Sequence, residues 1–401
     1  MDYLFLARVT REDYVVMTNL DFEWPSKVNH VPKELYTRPD LYEREIQRIF
    51  RGPEWHAIAH QCEVPGNGDF KTLTYAEMPF LVARGSDGEV RVFLNSCPHR
   101  ANQVEVRCKG NTTRFNCPYH RWTFANDGRL IGCPSDDDYE PGFDRTDYPL
   151  PRVRHEMMHG IIFITFSSEV GGLPEYLGDV APFIAQAMGG DSNLKLLGYQ
   201  KVRYACNWKV YGDNDIFHPP LLHRALSMLN WQSAAGERAS CPVRGHLALK
   251  AELTPPPNNG TLKDMSIIRE VGNDETSSCA VILFPLFVIT KHLSVINLRF
   301  ASPVGPNQTE VNYAYFARCD DDEETVIHRT RQGSNLLGPV GLISMEDAAI
   351  FQRTQIGAGT PGNMVFQKGV ASLGTQGQEP PFSNEVHILS RIRYYREVMG
   401  M

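Results

Sequence analysis

No stretch of this 401-residue chain is apolar for the ~18 consecutive residues that a membrane-spanning helix needs. The longest candidates, His159 to Phe166 and Ala280 to Thr290, have the length of single strands, so no membrane partner is expected. A basic excess is also missing, since 40 Lys and Arg stand against 47 Asp and Glu for a net charge of −7. Without a positive stripe to neutralise phosphates, nucleic acid is not expected as a partner. Met1 to Leu20 is studded with Asp, Arg and Glu and lacks the apolar core of a secretory signal. The nine cysteines are odd in number and scattered. That pattern suits a reducing cytoplasm, with thiols kept for metals or cores, better than a disulfide framework. Internal repeats and low-complexity tracts are absent. What remains, with 42% hydrophobic and 22% charged residues, is ordinary globular composition, long enough for roughly two to three domains.

Turn residues divide the chain. Leu41, Ile46, Ile49 and Phe50 fall on one helical stripe that Gly52-Pro53 stops. From Trp55 to about Phe166 the pattern is one of short strands. Phe80–Ala83 and Val90–Leu94 flank Ser86-Asp87-Gly88, and Asn126-Asp127-Gly128 marks a second tight hairpin. After Gly171-Gly172 the texture changes. Leu177 to Met188 reads as helix, Gly198 to Trp208 as strand, and Val210 to Met228 as mostly helix. The runs Leu247–Leu253, Ser278–Thr290, Leu293–Ala301 and Thr309–Phe316 read as strands. Glu323–Asn335, Leu337–Gly357 and Glu385–Met399 read as helices. The fold class expected is α+β, a small antiparallel β domain before a larger domain whose antiparallel sheet is flanked by helices. The expected division is 1–50 as a helical segment packing on the larger domain, 51–166 as the small domain and 167–401 as the large one.

Cys97-Pro98-His99 and Cys117-Pro118-Tyr119-His120 stand 17 residues apart. Two Cys-His pairs on two loops supply four soft or borderline ligands, which suits zinc or an iron–sulfur cluster. Zinc fingers usually run Cys-Cys and then His-His. Here each loop delivers one thiolate and one imidazole, as a Rieske [2Fe-2S] cluster requires. The stretches SCPHR and FNCPYHRWTF resemble the C-x-H … C-x-x-H motif of the Rieske ring-hydroxylating oxygenase family, and match it at every ligand position. Cys108 and Cys133 lie nearby without a spacing partner.

A cluster alone only moves electrons, so a second metal is sought. His218 and His223 lie five apart around Pro219-Pro220, and could face one metal from a locally bent helix. Asn207-Trp208-Lys209 followed by Asp215-Ile216-Phe217-His218 and His223 resembles the family's N-W-K … D-x-x-H-x4-H segment. Asn214 abuts Asp215, where relatives place residues between Asn and the acid. The resemblance implies a mononuclear Fe(II) held by His218, His223 and a late carboxylate, a face that leaves room for O2. The carboxylate is expected at Asp347, with Glu346 as the alternative. They sit in a run from Gly338 through Asp347 to Gln355-Ile356-Gly357 that is similar to terephthalate- and salicylate-type enzymes. Asp215 is implied to lie between the two centres, bridging His218 and the partner subunit's His120 in a head-to-tail trimer.

The resemblance spans roughly Leu41 to Met399. It implies the large subunit of a terminal oxygenase, fed by a ferredoxin or flavin reductase and acting with O2 on a small aromatic substrate. The product is a cis-dihydrodiol or a phenol, and a small β subunit in an α3β3 assembly is possible on this analogy. No flavin or nicotinamide fingerprint is read in the chain, which is why the reductant must be separate. Leu283, Phe284, Phe287 and Val288 are candidates to line an apolar pocket. Arg299 is the candidate anchor for a substrate carboxylate. The alternatives are a Rieske monooxygenase or demethylase, a Rieske electron carrier without catalytic iron, and a zinc-binding interaction protein.

Overall fold

The computed structural model describes residues 23–135, 138–190, 193–213, 237–241, 243–251, 263–272, 278–372 and 384–401. The chain divides into two compact units. Among the described residues one is Phe50–Gly171; the other is Gly172–Met401 with the part of Leu20–Ile49 that is described. No described helix is long and apolar enough to cross a membrane.

The segment before Phe50 contributes β1 (His30–Pro32) and α1 (Pro39–Glu45) to the larger unit. Pro39 begins α1, where a missing N–H costs nothing. Leu41, Ile46 and Ile49 are fully buried, as the apolar stripe predicts.

The smaller unit is all β. Its strands are β2 (His56–His60), β3 (Asp69–Tyr75), β4 (Met78–Arg84), β5 (Val90–Leu94), β6 (Lys109–Asn111), β7 (Arg114–Asn116), β8 (Thr123–Ala125), β9 (Leu130–Gly132), β10 (Arg154–Met158) and β11 (Ile161–Thr165). They form three antiparallel sheets in the orders β5-β4-β3-β6, β7-β8-β9 and β10-β11-β2. The hairpin at Asn126-Asp127-Gly128 needs its glycine twice over. Gly128 takes φ 95°, and a Cβ there would lie 2.4 Å from Phe93 Cε1. Phe70, Leu81, Phe93, Phe115, Trp122 and Phe124 make the core.

In the larger unit α2 (Leu173–Leu177) and α3 (Ala181–Ala187) precede β12 (Leu194–Tyr204). The sequence pattern extends that strand to Trp208. It ends at Tyr204, because the Asn207 side chain accepts from Lys209 N and caps α4 (Trp208–Gly212). Then come β13 (Glu237–Cys241), β14 (His246–Ala251), β15 (Ser278–Leu283), β16 (Phe287–His292), β17 (Val295–Gly305) and β18 (Gln308–Arg318). These and β12 build a seven-stranded antiparallel sheet, order β12-β18-β17-β16-β15-β14-β13. The run Ser278–Thr290 is therefore two strands, not one. Pro285 cannot donate to a ladder, and the chain reverses there. After α5 (Glu323–Gln332) a wider turn, Gly333–Leu337, leads to α6 (Ser344–Ala358), β19 (Asn363–Val365, paired with β1) and α7 (Val386–Met399). The helix expected from Leu337 begins only at Ser344, past the Gly338-Pro339 break.

Candidate active site

In the smaller unit the two Cys-His loops share one backbone design. Cys97 N donates to Asn102 O at 2.9 Å and Cys117 N to Trp122 O at 2.8 Å. Ala101 N returns to Cys97 O, and Arg121 N to Cys117 O. The residue four past each cysteine takes positive φ, 58° at Ala101 and 62° at Arg121. Side chains other than Gly visit that region at a cost of roughly 1 kcal/mol. Twice in one domain, the backbone accepts that cost to turn a loop around its cysteine.

The four side chains converge. Cys97 and Cys117 are each 2% exposed at the rim of the aromatic core. Their thiols lie within hydrogen-bonding reach of each other. The His99 and His120 rings are 4.5 Å apart between centroids, and His99 stacks on Trp122 at 5.0 Å and 11°. Trp122 Nε1 donates to Tyr139 OH at 2.9 Å, which fixes the indole that backs the imidazole. His120 Nδ1 is shielded from solvent and has no hydrogen-bond partner. Burial pushes the Cys97 thiol up to about 11, so a thiolate there calls for a neighbouring positive charge. Burial, together with His120 and Arg100, pushes His99 down, toward the neutral form that ligates metals. Among the described residues no three His, Cys, Asp or Glu gather as one ion would require. A [2Fe-2S] cluster asks for two ligands on each of two irons instead. A buried imidazole nitrogen without a partner, an opposed imidazole and two buried thiols fit that group.

In the larger unit Asp347 lies in the first turn of α6 and is 6% exposed, whereas neighbouring Glu346 is half-exposed. Phe351 and Gln355 follow at four-residue steps on the same face. Gln355 Oε1 accepts from Asn207 N at 2.7 Å, and its Nε2 donates to Tyr36 O at 2.9 Å. The helix bearing Asp347 is thereby tied to the cap of α4. Asp215, His218 and His223 lie outside the described residues, and so does most of the helix expected over Val210–Met228.

The residues at the start of α4 are held by Glu45, which is fully buried. Its carboxylate accepts from Trp208 Nε1 and Tyr395 OH, each at 2.6 Å, and pairs with Lys209 Nζ. Nothing in the sequence pattern pointed to this lock, although Glu45 is the one acid on the apolar stripe side of α1. An acid at such a position was the available signal.

The sheet register sorts the proposed pocket residues. Arg299 pairs with Val288 and Tyr313, whereas Phe287 pairs with Phe300 and Leu283. Paired residues point to the same side. Arg299 and Val288 therefore share one face, and Leu283 and Phe287 lie on the other. On that other face Cys279 Sγ reaches Phe183 O of α3 at 3.6 Å. The structure does not bring Leu283 and Phe287 together with Arg299.

Arg299 instead faces tyrosines and Asp347. Its Cζ lies 5.3 Å from the Tyr313 ring centroid. Tyr313 OH and Tyr204 OH are 2.8 Å apart, and Tyr204 stacks on Tyr211 at 5.6 Å. Tyr211 and Tyr204 both meet the edge of Phe351. Burial alone would lower Arg299, but Tyr313, Tyr211, Tyr204 and Asp347 together push it up, so it stays charged. Arg299 Nε is buried without a hydrogen-bond partner. A cation is thus held beside a buried carboxylate in an aromatic enclosure.

Residues 54–148 match the Rieske [2Fe-2S] domain family, and residues 192–400 match the ring hydroxylating alpha subunit catalytic domain. This chain is a Rieske ring-hydroxylating oxygenase alpha subunit. It is similar to the anthranilate 1,2-dioxygenase large subunit of Burkholderia cepacia, 30% identical over 82% of this chain and 84% of that one. The salicylate 5-hydroxylase large oxygenase component of a Ralstonia sp. is 27% identical over 94% and 97% of the two chains. Naphthalene 1,2-dioxygenase from a Rhodococcus sp. has the same fold, with a TM-score of 0.79 at 24% identity over 92% of this chain and 94% of that one. The oxygenase is therefore an oxidoreductase with a Rieske [2Fe-2S] domain and a non-haem iron catalytic domain. The second match places a ring-hydroxylating catalytic domain after the Rieske domain. The letters Gly357-Ala358-Gly359-Thr360-Pro361-Gly362 have the spacing of a dinucleotide fingerprint. They close α6, however, and do not open a helix after a strand, so they do not form that site.

Proposed function

We propose that this oxygenase hydroxylates an aromatic carboxylate, and that Arg299 holds the acid. The observation that carries the reading is a half-buried, charged guanidinium whose shielded Nε is free, on the sheet face that Asp347 also approaches. A guanidinium binds a carboxylate through two parallel N–H donors, which fixes the ring plane as well as the charge. Tyr204, Tyr211, Tyr313 and Phe351 exclude water around it, and low polarity strengthens that contact.

In the same reading Cys97 and Cys117 bind one iron of the cluster, and His99 and His120 bind the other. Asp347, rather than the more exposed Glu346, joins His218 and His223 at the mononuclear iron. When bound, the cluster supplies single electrons and the mononuclear iron activates O2. Asp215 is assigned to the electron route between a cluster and a neighbouring subunit's iron, on its place in the D-x-x-H-x4-H motif. Electrons come from a ferredoxin or flavin reductase. The assembly is a homotrimer of large subunits, with or without a small β subunit.

The test is product analysis with reconstituted reductase, alongside iron and sulfide assays. Aromatic acids should be hydroxylated well and neutral aromatics of equal size poorly. Preference for the neutral compounds would overturn the assignment of Arg299. Iron and sulfide in equal amounts would mean a cluster without the third iron, and would remove the proposed mononuclear site.

A further inference from the structure

On β17 the side chain two residues before Arg299 is Asn297, which the alternation of the strand puts on the same face. Asn297 is fully buried, and neither its Oδ1 nor its Nδ2 has a hydrogen-bond partner. An amide can make four hydrogen bonds, and leaving one buried and unmatched costs its full desolvation. Its cross-strand neighbours are Thr290 and Tyr315. The Tyr315 hydroxyl donates to Gln200 Oε1 at 2.8 Å, so toward the amide it can only accept, and it leaves Oδ1 without a donor. Gln200 in turn gives Nε2 to Ser334 Oγ at 3.1 Å. Tyr315, Gln200 and Ser334 are linked to one another, and the Asn297 Oδ1 is left over. On the same strand face Arg299 Nε is also an unpartnered donor. A cation and a neutral amide thus stand about 7 Å apart along one strand, with the amide and the Nε shielded from solvent and short of partners.

We propose that Asn297 is a specificity-determining residue, whose amide binds a hydroxyl or amino substituent on the substrate ring. Each such substituent both donates and accepts, as the amide does, and a second carboxylate would not. The proposal rests on the reading of Arg299 for the acid end of the substrate, but its own claim concerns the ring substituent. A site built around a buried polar group rejects the analogue that lacks the matching group, since the protein's group is then left unpaired.

The experiment compares wild-type holoenzyme with Asn297→Leu. One substrate series is benzoate against hydroxybenzoates and aminobenzoates. The other is toluene against phenol and aniline. In each, kcat/KM is measured together with calorimetric affinity under anaerobic conditions. Wild type should favour the substituted compounds by about 10- to 100-fold. The leucine variant should bring that ratio close to one while leaving the unsubstituted compound unaffected or improved. If the leucine variant fails to fold, Asn297→Ala carries the same expectation. A ratio that survives the substitution, or a wild type without substituent preference in either series, would overturn the proposal. A purely structural role would lower both members of a pair alike and would also overturn it. If wild type accepts only the neutral series, the acid reading of Arg299 fails, and Asn297 is still judged on phenol and aniline.

Discussion

Arg299 stays charged within a wall of tyrosines, with burial opposing the charge and its polar neighbours, Asp347 among them, upholding it. Its partner in the working enzyme therefore has to be an anion or a strong acceptor. Substituting Arg299→Gln keeps a donor but removes the charge and the two-pronged geometry. Charge-assisted hydrogen bonds are worth about 1.5–3 kcal/mol each, so kcat/KM for an aromatic acid should fall by roughly 100-fold. Turnover of a neutral aromatic should change little. Equal losses on both would show that Arg299 holds the fold and not the substrate. At this scale the proposed cluster ligands were the most legible part of the chain. Coordination chemistry fixes both residue type and spacing, so Cys97, His99, Cys117 and His120 could be picked out before any strand was placed. Asn297 could not. Its meaning depends on which neighbours leave its amide unpaired, and one residue's identity does not carry that.

The elements were legible by type and less so by boundary or facing. The error that mattered lay between Ser278 and Thr290, where one continuous apolar run hid a reversal at Pro285. Once β15 and β16 are separate strands, the tight hairpin at Leu293-Ser294 pairs Phe287 with Phe300 and Val288 with Arg299. Parity then puts the aromatic candidates and the arginine on opposite faces. A pattern of apolar letters cannot show this, because apolar side chains stand on both faces, Ile282 and Val288 on one and Leu283 and Phe287 on the other. The lock around Glu45 is a second feature beyond pattern. Lys209 is fully buried, its charge opposed by burial and upheld by Glu45. Glu45→Gln should cost about 3–5 kcal/mol in urea unfolding, because it leaves that ammonium uncompensated. Adding Lys209→Met should restore much of the loss, although Trp208 and Tyr395 keep weaker acceptors. A double variant no more stable than the single would mean that the pair contributes shape and not charge balance. The lock adjoins α4, so the single variant should also bind less mononuclear iron than wild type.

Across the whole molecule the buried histidines set a limit on acid tolerance. Burial lowers His60 to about 4 and His246 and His292 each to about 3, against 6.5 for an unstrained imidazole. His60 belongs to the smaller unit, and the other two belong to the larger. Geometry agrees with neutral rings. His60 Nδ1 accepts from Cys62 N, and His246 Nδ1 accepts from Phe284 N, which a doubly protonated ring could not do. Because the folded values are depressed, the unfolded chain binds more protons below 6.5. Stability is fully present above that pH and falls as pH drops toward the folded values. One pKa unit corresponds to about 1.4 kcal/mol. Lowering the pH from 6.5 to 5.5 should therefore cost about 1 kcal/mol per histidine, since half of the unfolded imidazole is already protonated at 6.5, and three of them make a large share of a total of about 5–15 kcal/mol. Urea midpoints measured from pH 8 to 5 should be level above 7 and drop steadily below 6.5. His60→Gln, which retains a donor and an acceptor, should flatten that drop by one proton's worth in the smaller unit alone. A midpoint that does not move between pH 7 and 5 would mean that these rings are solvated or paired in solution, and that neither core excludes water as tightly as its packing requires.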